Sequence, residues 1–336
     1  MAPKGTPSTG ALLEVRDLHV EFGTRDGTAR AVDGVGYRVD AGETLAVLGE
    51  SGSGKSVTAQ AVMGILDSPP GRITSGEILF RGTDLLKLPE EGRRRIRGDR
   101  MAMIFQDALS ALNPVLTVGY QLGEMFRVHR GATRKQARER AVELMDRVRI
   151  PAARSRVDDY PHQFSGGMRQ RIMIATALAL EPELIIADEP TTALDVTVQA
   201  QVMELLAELR REYRMGLILI THDLGVVADV ADRIAVMYAG RIVEHAPVRE
   251  LYAAPAHPYT KGLLDSVPRL DRRGQALHAI KGMPPSPLAV PHGCSFHPRC
   301  PMARERCRQE EPPLHEVGPG RSSACHFWKE LLDGTP

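Results

Sequence analysis

The residues with the clearest chemical purpose are Gly49, Glu50, Ser51, Gly52, Ser53, Gly54, Lys55 and Ser56. They read G-x-x-x-x-G-K-S, the pattern of a phosphate-binding loop. Glycine takes backbone conformations barred to other residues, so several N–H groups can turn toward one anion. Lys55 is placed to reach the β- and γ-phosphates of a nucleotide, and the Ser56 hydroxyl to hold Mg²⁺. A second chemical pair, Asp188 and Glu189, closes an apolar run. Neighbours on a strand point to opposite faces, so the two acids must take different tasks. Asp188 suits Mg²⁺, directly or through water, and Glu189 suits polarising a water beside a γ-phosphate. Gln106 ends the apolar run 101–105, and His222 follows the run 215–221. A glutamine there can reach into the crevice where α/β proteins bind ligands. A histidine there can donate to a phosphate. By spacing alone, both also fit an ordinary surface or structural residue. Phe164-Ser165-Gly166-Gly167-Met168 forms a second glycine-rich helix start, hence a second anion-binding end.

Positioning these groups requires strands that end at the right place. Residues 44–48 are short and apolar, as a buried strand should be, and Val57 opens the first turns of a helix over 57–63. Strand, glycine loop and helix are the context the phosphate motif needs. Alternating apolar and polar residues over 12–39, broken by Gly23, Gly27, Gly34 and Gly36, predict short antiparallel strands. Further strands are predicted over 76–82, 101–105, 183–188 and 215–221, and helices over 166–180 and 197–213. Between 107 and 180 the texture turns helical, with Ala137, Ala141, Leu144, Met145 and Val148 on one face of a helix over 135–148. The basic run 93–97 reads as a solvated helix face. Phe22 reads from spacing as a core residue, although an aromatic at a sheet edge can stack on a purine. The expected fold is α/β: a mixed sheet flanked by helices, an antiparallel β subdomain and an inserted helical subdomain.

The chain has 336 residues, a formal charge of +1 and 43% hydrophobic residues. That supports a real core and supplies no field to recruit nucleic acid. No apolar run approaches the roughly 18 residues of a membrane span. Residues 1–10 are small and polar without a signal core, and are expected to form a disordered leader. A soluble cytoplasmic chain is expected, with any membrane role exercised through a partner. The four cysteines, Cys294, Cys300, Cys307 and Cys325, all fall near the end, after the proline-rich Pro284, Pro285, Pro287 and Pro291. Such a stretch cannot pack as helix or central strand, so it is expected to wrap the surface and present the thiols. Disulfides do not suit a reducing compartment. Zinc suits four thiolates, but its close C-x2–4-C knuckles are absent. Four dispersed thiolates suit a [4Fe–4S] cluster better, with zinc and free thiols as the alternatives and His297 and His326 as reserve ligands.

Taken in order, these motifs resemble the nucleotide-binding subunit of an ABC transporter over residues 12–255. Residues 164–170, FSGGMRQ, are similar to the family signature LSGGQ, with Phe for Leu and Met for Gln. The resemblance implies an ATPase in which Phe22 stacks on adenine and the loop from Gly49 to Val57 holds ATP and Mg²⁺. It makes Gln106 the sensor of Mg²⁺ and attacking water, Asp188 a Mg²⁺ ligand, Glu189 the general base and His222 the switch histidine. Ser165, Gly166 and Gly167 would contact the ATP held by a facing subunit, and Asp195 the dimer interface. The segment Ala111-Leu112-Asn113-Pro114 lies where the family docks a membrane subunit. Residues 257–264, HPYTKGLL, resemble the extension of oligopeptide, dipeptide and nickel importer ATPases, some of which carry an iron–sulfur cluster at the matching cysteines. The implied division is a leader over 1–10, a nucleotide-binding domain over 11–256 with its helical subdomain at about 107–180, and an extension over 257–336. The implied partners are a second ABC ATPase in a heterodimer, with a homodimer as the alternative, two membrane-spanning permease subunits and an extracytoplasmic peptide-binding protein, with the chain peripheral on the cytoplasmic face of the membrane. Nickel import, a soluble ABC ATPase and an iron–sulfur regulatory protein stay open as alternatives.

Overall fold

Alternation along the first strands sets one face of an antiparallel sheet. The computed structural model describes residues 10–192, 194–266 and 280–334, without the side chain of Leu109. All of the expected leader but Gly10 thus lies outside the described residues. The first sheet runs β2-β1-β4-β5, with β1 (Leu13–Thr24), β2 (Gly27–Val39), β4 (Gly71–Phe80) and β5 (Thr83–Asp84). Leu13, Val15, Leu18 and Val20 of β1 face Val32, Val35 and Val39 of β2 in one core. The short strands expected over 12–39 are instead two long ones. Only Gly27 sits at the hairpin, opposite Thr24, and the remaining irregularity is absorbed by shifts of register such as that between Val15 and Leu18. The strand expected over 76–82 begins earlier, at Gly71.

The second sheet runs β11-β12-β10-β9-β3-β8-β7-β6. Its centre is parallel: β3 (Thr44–Leu48), β6 (Met101–Ile104), β7 (Leu184–Asp188), β8 (Gly216–Ile220) and β9 (Arg233–Tyr238). Every residue of β3, β6, β7 and β8 is buried. Strands covered on both faces read as continuous apolar runs, which is why they were visible in the sequence. Phe105 is a correction: the strand ends at Ile104 and Phe105 is 43% exposed. Arg97 is another. It leaves the solvated face of the helix Glu90–Ile96 to donate to the Gly64 carbonyl at 2.6 Å. The helical insertion holds the helix Arg134–Arg147, opened by a Thr133–Gln136 capping box, and an unforeseen helix, Val118–Arg130, capped by Thr117.

The C-terminal segment joins the core. β10 (Arg241–Pro247) pairs antiparallel with β9 and with β12 (Arg321–Ser323), and β11 (His315–Gly318) closes the edge. The proline-rich stretch lies along β2, where the Arg30 N–H donates to the Pro287 carbonyl at 3.1 Å. Glu244 of β10, 1% exposed, anchors the start of the tail by accepting the N–H groups of Ala256 and His257 at 2.6 and 3.0 Å. Burial pushes its carboxyl up to about 7, against the hydrogen bonds from the two backbone N–H groups. The folded chain therefore favours the protonated acid. That contribution is complete below the unfolded carboxyl range and disappears as pH rises through about 7. Glu244→Gln is expected to flatten the fall of the thermal midpoint between about pH 5 and pH 8, by roughly 2–3 kcal/mol of pH-linked stability. An unchanged slope in calorimetry would remove Glu244 as its source.

Candidate functional site

The phosphate motif lies between β3 and the helix Lys55–Met63. Two of its glycines are obligatory for steric reasons. Gly54 has φ +100°, and a Cβ there would collide with the Ala31 carbonyl; a Cβ at Gly49 would collide with that of Met237. Lys55 is 6% exposed, and its Nζ donates to the carbonyls of Gly49 at 2.7 Å and Glu50 at 2.9 Å. Burial lowers its pKa, while Glu189, Asp188 and Glu50 oppose that shift. The Ser56 hydroxyl donates to Asp188 Oδ1 at 3.0 Å. Burial raises the pKa of Asp188, and the Ser56 hydrogen bond pulls it back.

Three parallel neighbours, β8, β7 and β6, deliver the remaining groups at their C-terminal ends. Glu189 follows β7, Gln106 lies two residues beyond β6 and His222 two beyond β8. Glu189 Oε2 accepts from Gln106 Nε2 and from Thr192 Oγ1, both at 2.9 Å. Its Oε1 lies 3.5 Å from His222 Nδ1. The backbone of Glu189 is left-handed, with φ +45°, and its N–H donates to the Ile220 carbonyl at 2.9 Å. A non-glycine residue held this way marks a position the surrounding fold over-determines. The two acids have separate partners: Asp188 meets the loop, and Glu189 meets Gln106 and His222.

A second patch stands apart. Ser165 caps the helix Gly166–Leu178 by accepting from the Met168 N–H at 3.3 Å. Asp195 caps the helix Val196–Tyr213 by accepting from the Val198 N–H at 3.0 Å. The two helix starts touch, because a Cβ at Gly167 would lie 2.6 Å from Val198 Cγ1. A Cβ at Gly166 would meet only Leu194, at 3.8 Å. Among the described residues no hydrogen bond joins this patch to the phosphate loop. Phe22 lies on β1 between Ala29 and Gly71, partly buried against the antiparallel core.

Sequence reasoning missed two residues at the loop. The Tyr259 hydroxyl accepts the Glu50 N–H at 2.9 Å. Arg299 pairs in a fork with Glu50, Nη1 to Oε2 at 2.5 Å and Nη2 to Oε1 at 2.9 Å. Tyr259 belongs to the noticed HPY stretch; no sequence signal marked Arg299.

Cys294, Cys300, Cys307 and Cys325 line one small cavity with Phe296, His257 and Met302. Burial pushes the Cys300 thiol up to about 11 and Cys325 up to about 12, and also raises Cys294. The backbone amides of Phe296, Met302 and Phe327 oppose these shifts at Cys294, Cys300 and Cys325 by favouring the thiolates. Among the described residues no three His, Cys, Asp or Glu side chains converge tightly enough for one metal ion. A tetrahedral zinc would need its sulfurs about 3.8 Å apart. The four thiols therefore share one cavity without forming an assembled metal site among the described residues.

A phosphate loop beside two strand-end acids at the C-terminal edge of a parallel sheet defines a phosphate-loop nucleotide-hydrolysing site. The family profile for ABC transporters matches residues 32–192. The profile for the oligopeptide/dipeptide transporter C-terminal region matches residues 243–307. The oligopeptide transport ATP-binding protein OppD of Salmonella typhimurium is 51% identical over 96% of this chain and 96% of its own. The dipeptide transport ATP-binding protein DppD of Haemophilus influenzae is 50% identical over 94% of this chain and 95% of its own. A bacterial ABC transporter cassette solved as a dimer superposes with a TM-score of 0.63 at 29% identity, covering 70% of this chain and 99% of that one. The chain belongs to the oligopeptide/dipeptide transport ATP-binding proteins of the ABC transporter family.

Proposed function

We propose that this chain hydrolyses ATP to energise the import of di- and oligopeptides across the cytoplasmic membrane. The observation that carries the reading is a phosphate loop whose Ser56 bonds Asp188 and whose Lys55 feels the charge of both acids, beside a Glu189 carboxylate already held by Gln106 and facing His222. The phosphate-loop N–H groups and Lys55 bind the β- and γ-phosphates, and Phe22 stacks on the adenine. Ser56, Asp188 and Gln106 offer the hard oxygen donors that Mg²⁺ prefers. When bound, Mg²⁺ neutralises charge on the phosphate oxygens. Glu189 accepts the proton of the attacking water, and Gln106 and His222 orient that water.

The chain carries one set of motifs and cannot close two sites alone, so a second ABC ATPase faces it, a related chain in a heterodimer with a homodimer as the alternative, in which Ser165, Gly166 and Gly167 touch the partner's nucleotide and Asp195 the interface. Two permease subunits dock beside Ala111 and Pro114. Exposed apolar side chains there, Phe105, Val115 and Tyr120, support that placement. An extracytoplasmic peptide-binding protein supplies the cargo, and the ATPase sits peripherally on the cytoplasmic face. Among the described residues no helix is long and apolar enough to cross a membrane. Uptake of a labelled dipeptide by cells carrying the transporter should stop when Lys55→Ala replaces the native chain; undiminished uptake would refute the reading.

The four cysteines hold a [4Fe–4S] cluster that staples the tail, with zinc as the runner-up. Cys300→Ser is expected to abolish the broad visible absorption of anaerobically purified protein and to lower the thermal midpoint by ~5–10 °C. Colourless wild-type protein containing stoichiometric zinc would favour the runner-up.

A further inference from the structure

Glu50 sits inside the phosphate loop, and each of its polar groups is tied. Its carbonyl accepts from Lys55 Nζ at 2.9 Å and from the Ser53 N–H at 3.2 Å. Its N–H donates to the Tyr259 hydroxyl, and its carboxylate takes both arms of the Arg299 guanidinium. Two of these four partners, Tyr259 and Arg299, come from the C-terminal extension. Arg299 is itself fixed: its side chain is 5% exposed, its Nε donates to the Lys281 carbonyl at 3.2 Å, and its Nη1 approaches the Tyr238 hydroxyl at 3.4 Å. Tyr238, Tyr259 and Phe296 pack together with ring centroids 4.7 to 5.3 Å apart. The anchor is therefore rigid on the side away from the loop.

We propose that Arg299 is a positioning residue for the nucleotide site, holding the phosphate loop open in its binding shape through Glu50. This rests on the nucleotide-binding reading above and goes beyond it, because it gives the C-terminal extension a part in ATP affinity. A loop rich in glycine loses much conformational freedom when it closes on phosphates. Restraining it beforehand lowers that cost and tightens binding. The restraint acts one residue from Gly49, on the carboxylate of the residue whose backbone carbonyl occupies Lys55. An arginine suits the task because its planar fork matches a carboxylate at two points; a lysine offers a single charge. Arg299 touches no reacting atom, so its loss should act on ATP affinity and KM more than on kcat.

The test is a titration of the purified full-length chain with Mg²⁺ and a fluorescent ATP analogue, for wild type, Arg299→Ala, Arg299→Lys, Glu50→Gln and the Arg299→Ala/Glu50→Gln double variant. Arg299→Ala is expected to weaken binding about tenfold, with Arg299→Lys intermediate and the double variant no weaker than the worse single one. Steady-state hydrolysis should show KM rising with kcat changed less than about threefold, a split that loss of folded protein alone would not produce. Unchanged affinity in Arg299→Ala, or additive losses in the double variant, would overturn the proposal. Should Arg299→Ala fail to fold, Arg299→Lys and Glu50→Gln decide it, since both must weaken binding. Absence of saturable binding in the wild type would instead overturn the nucleotide reading, and this inference with it.

Discussion

Glu189→Gln is expected to slow ATP hydrolysis by roughly 10²–10⁴-fold, the usual worth of a positioned general base, while ATP still binds. The substitution is nearly isosteric. An amide oxygen at this position can keep the hydrogen bonds from Gln106 and Thr192, both 2.9 Å in the native chain. What it loses is the capacity to accept a proton from water. The left-handed backbone at Glu189 is fixed by its N–H to the Ile220 carbonyl, which the exchange does not touch. The chemistry should therefore fail without the geometry failing. Phosphate release measured under single-turnover conditions should fall, and equilibrium ATP binding should stay within a few-fold of the native value. Native hydrolysis by the variant would remove Glu189 from the catalytic role and turn attention to His222, which faces the same carboxylate.

Lys55→Ala is expected to remove most nucleotide affinity and, with it, turnover. Lys55 Nζ now rests on the Gly49 and Glu50 carbonyls, so the loop carries its cation in reserve. Phosphate oxygens compete for that ammonium with a full negative charge, which two neutral carbonyls cannot match. Burial already weakens the hold of Lys55 on its proton, so an arriving phosphate stabilises the charged form as well. Loss of a preorganised electrostatic partner of this kind costs about 10²–10³-fold in rate, with a loss of similar order expected in affinity. Hydrolysis assayed at several ATP concentrations checks this. An affinity unchanged by Lys55→Ala would mean that the nucleotide binds elsewhere.

The site was legible in the sequence where its groups are local to a strand end. An unbroken buried strand followed by Asp188 and Glu189 reads directly, because parallel strands covered on both faces leave nothing else apolar to confuse them. Gln106 and His222 were found the same way, although the apolar run misled by one residue at Phe105, which the structure exposes. The helix Val118–Arg130 escaped notice although Thr117 caps it, since its exposed Tyr120 and Val128 blur the apolar stripe. Most hidden of all was the tie between Arg299 and Glu50, 249 residues apart. No periodicity or motif records a contact that only the closing of the tail onto β10 and the loop creates. The same closure brings four widely spaced cysteines to one cavity, of which the sequence showed only the clustering.

The most direct measurement is the equilibrium binding of Mg²⁺-ATP to the purified chain, wild type against Lys55→Ala. One nucleotide bound saturably per chain, and lost in the variant, is the predicted result. A wild-type chain that binds no ATP, or one that binds it equally well without Lys55, would contradict the account at its centre.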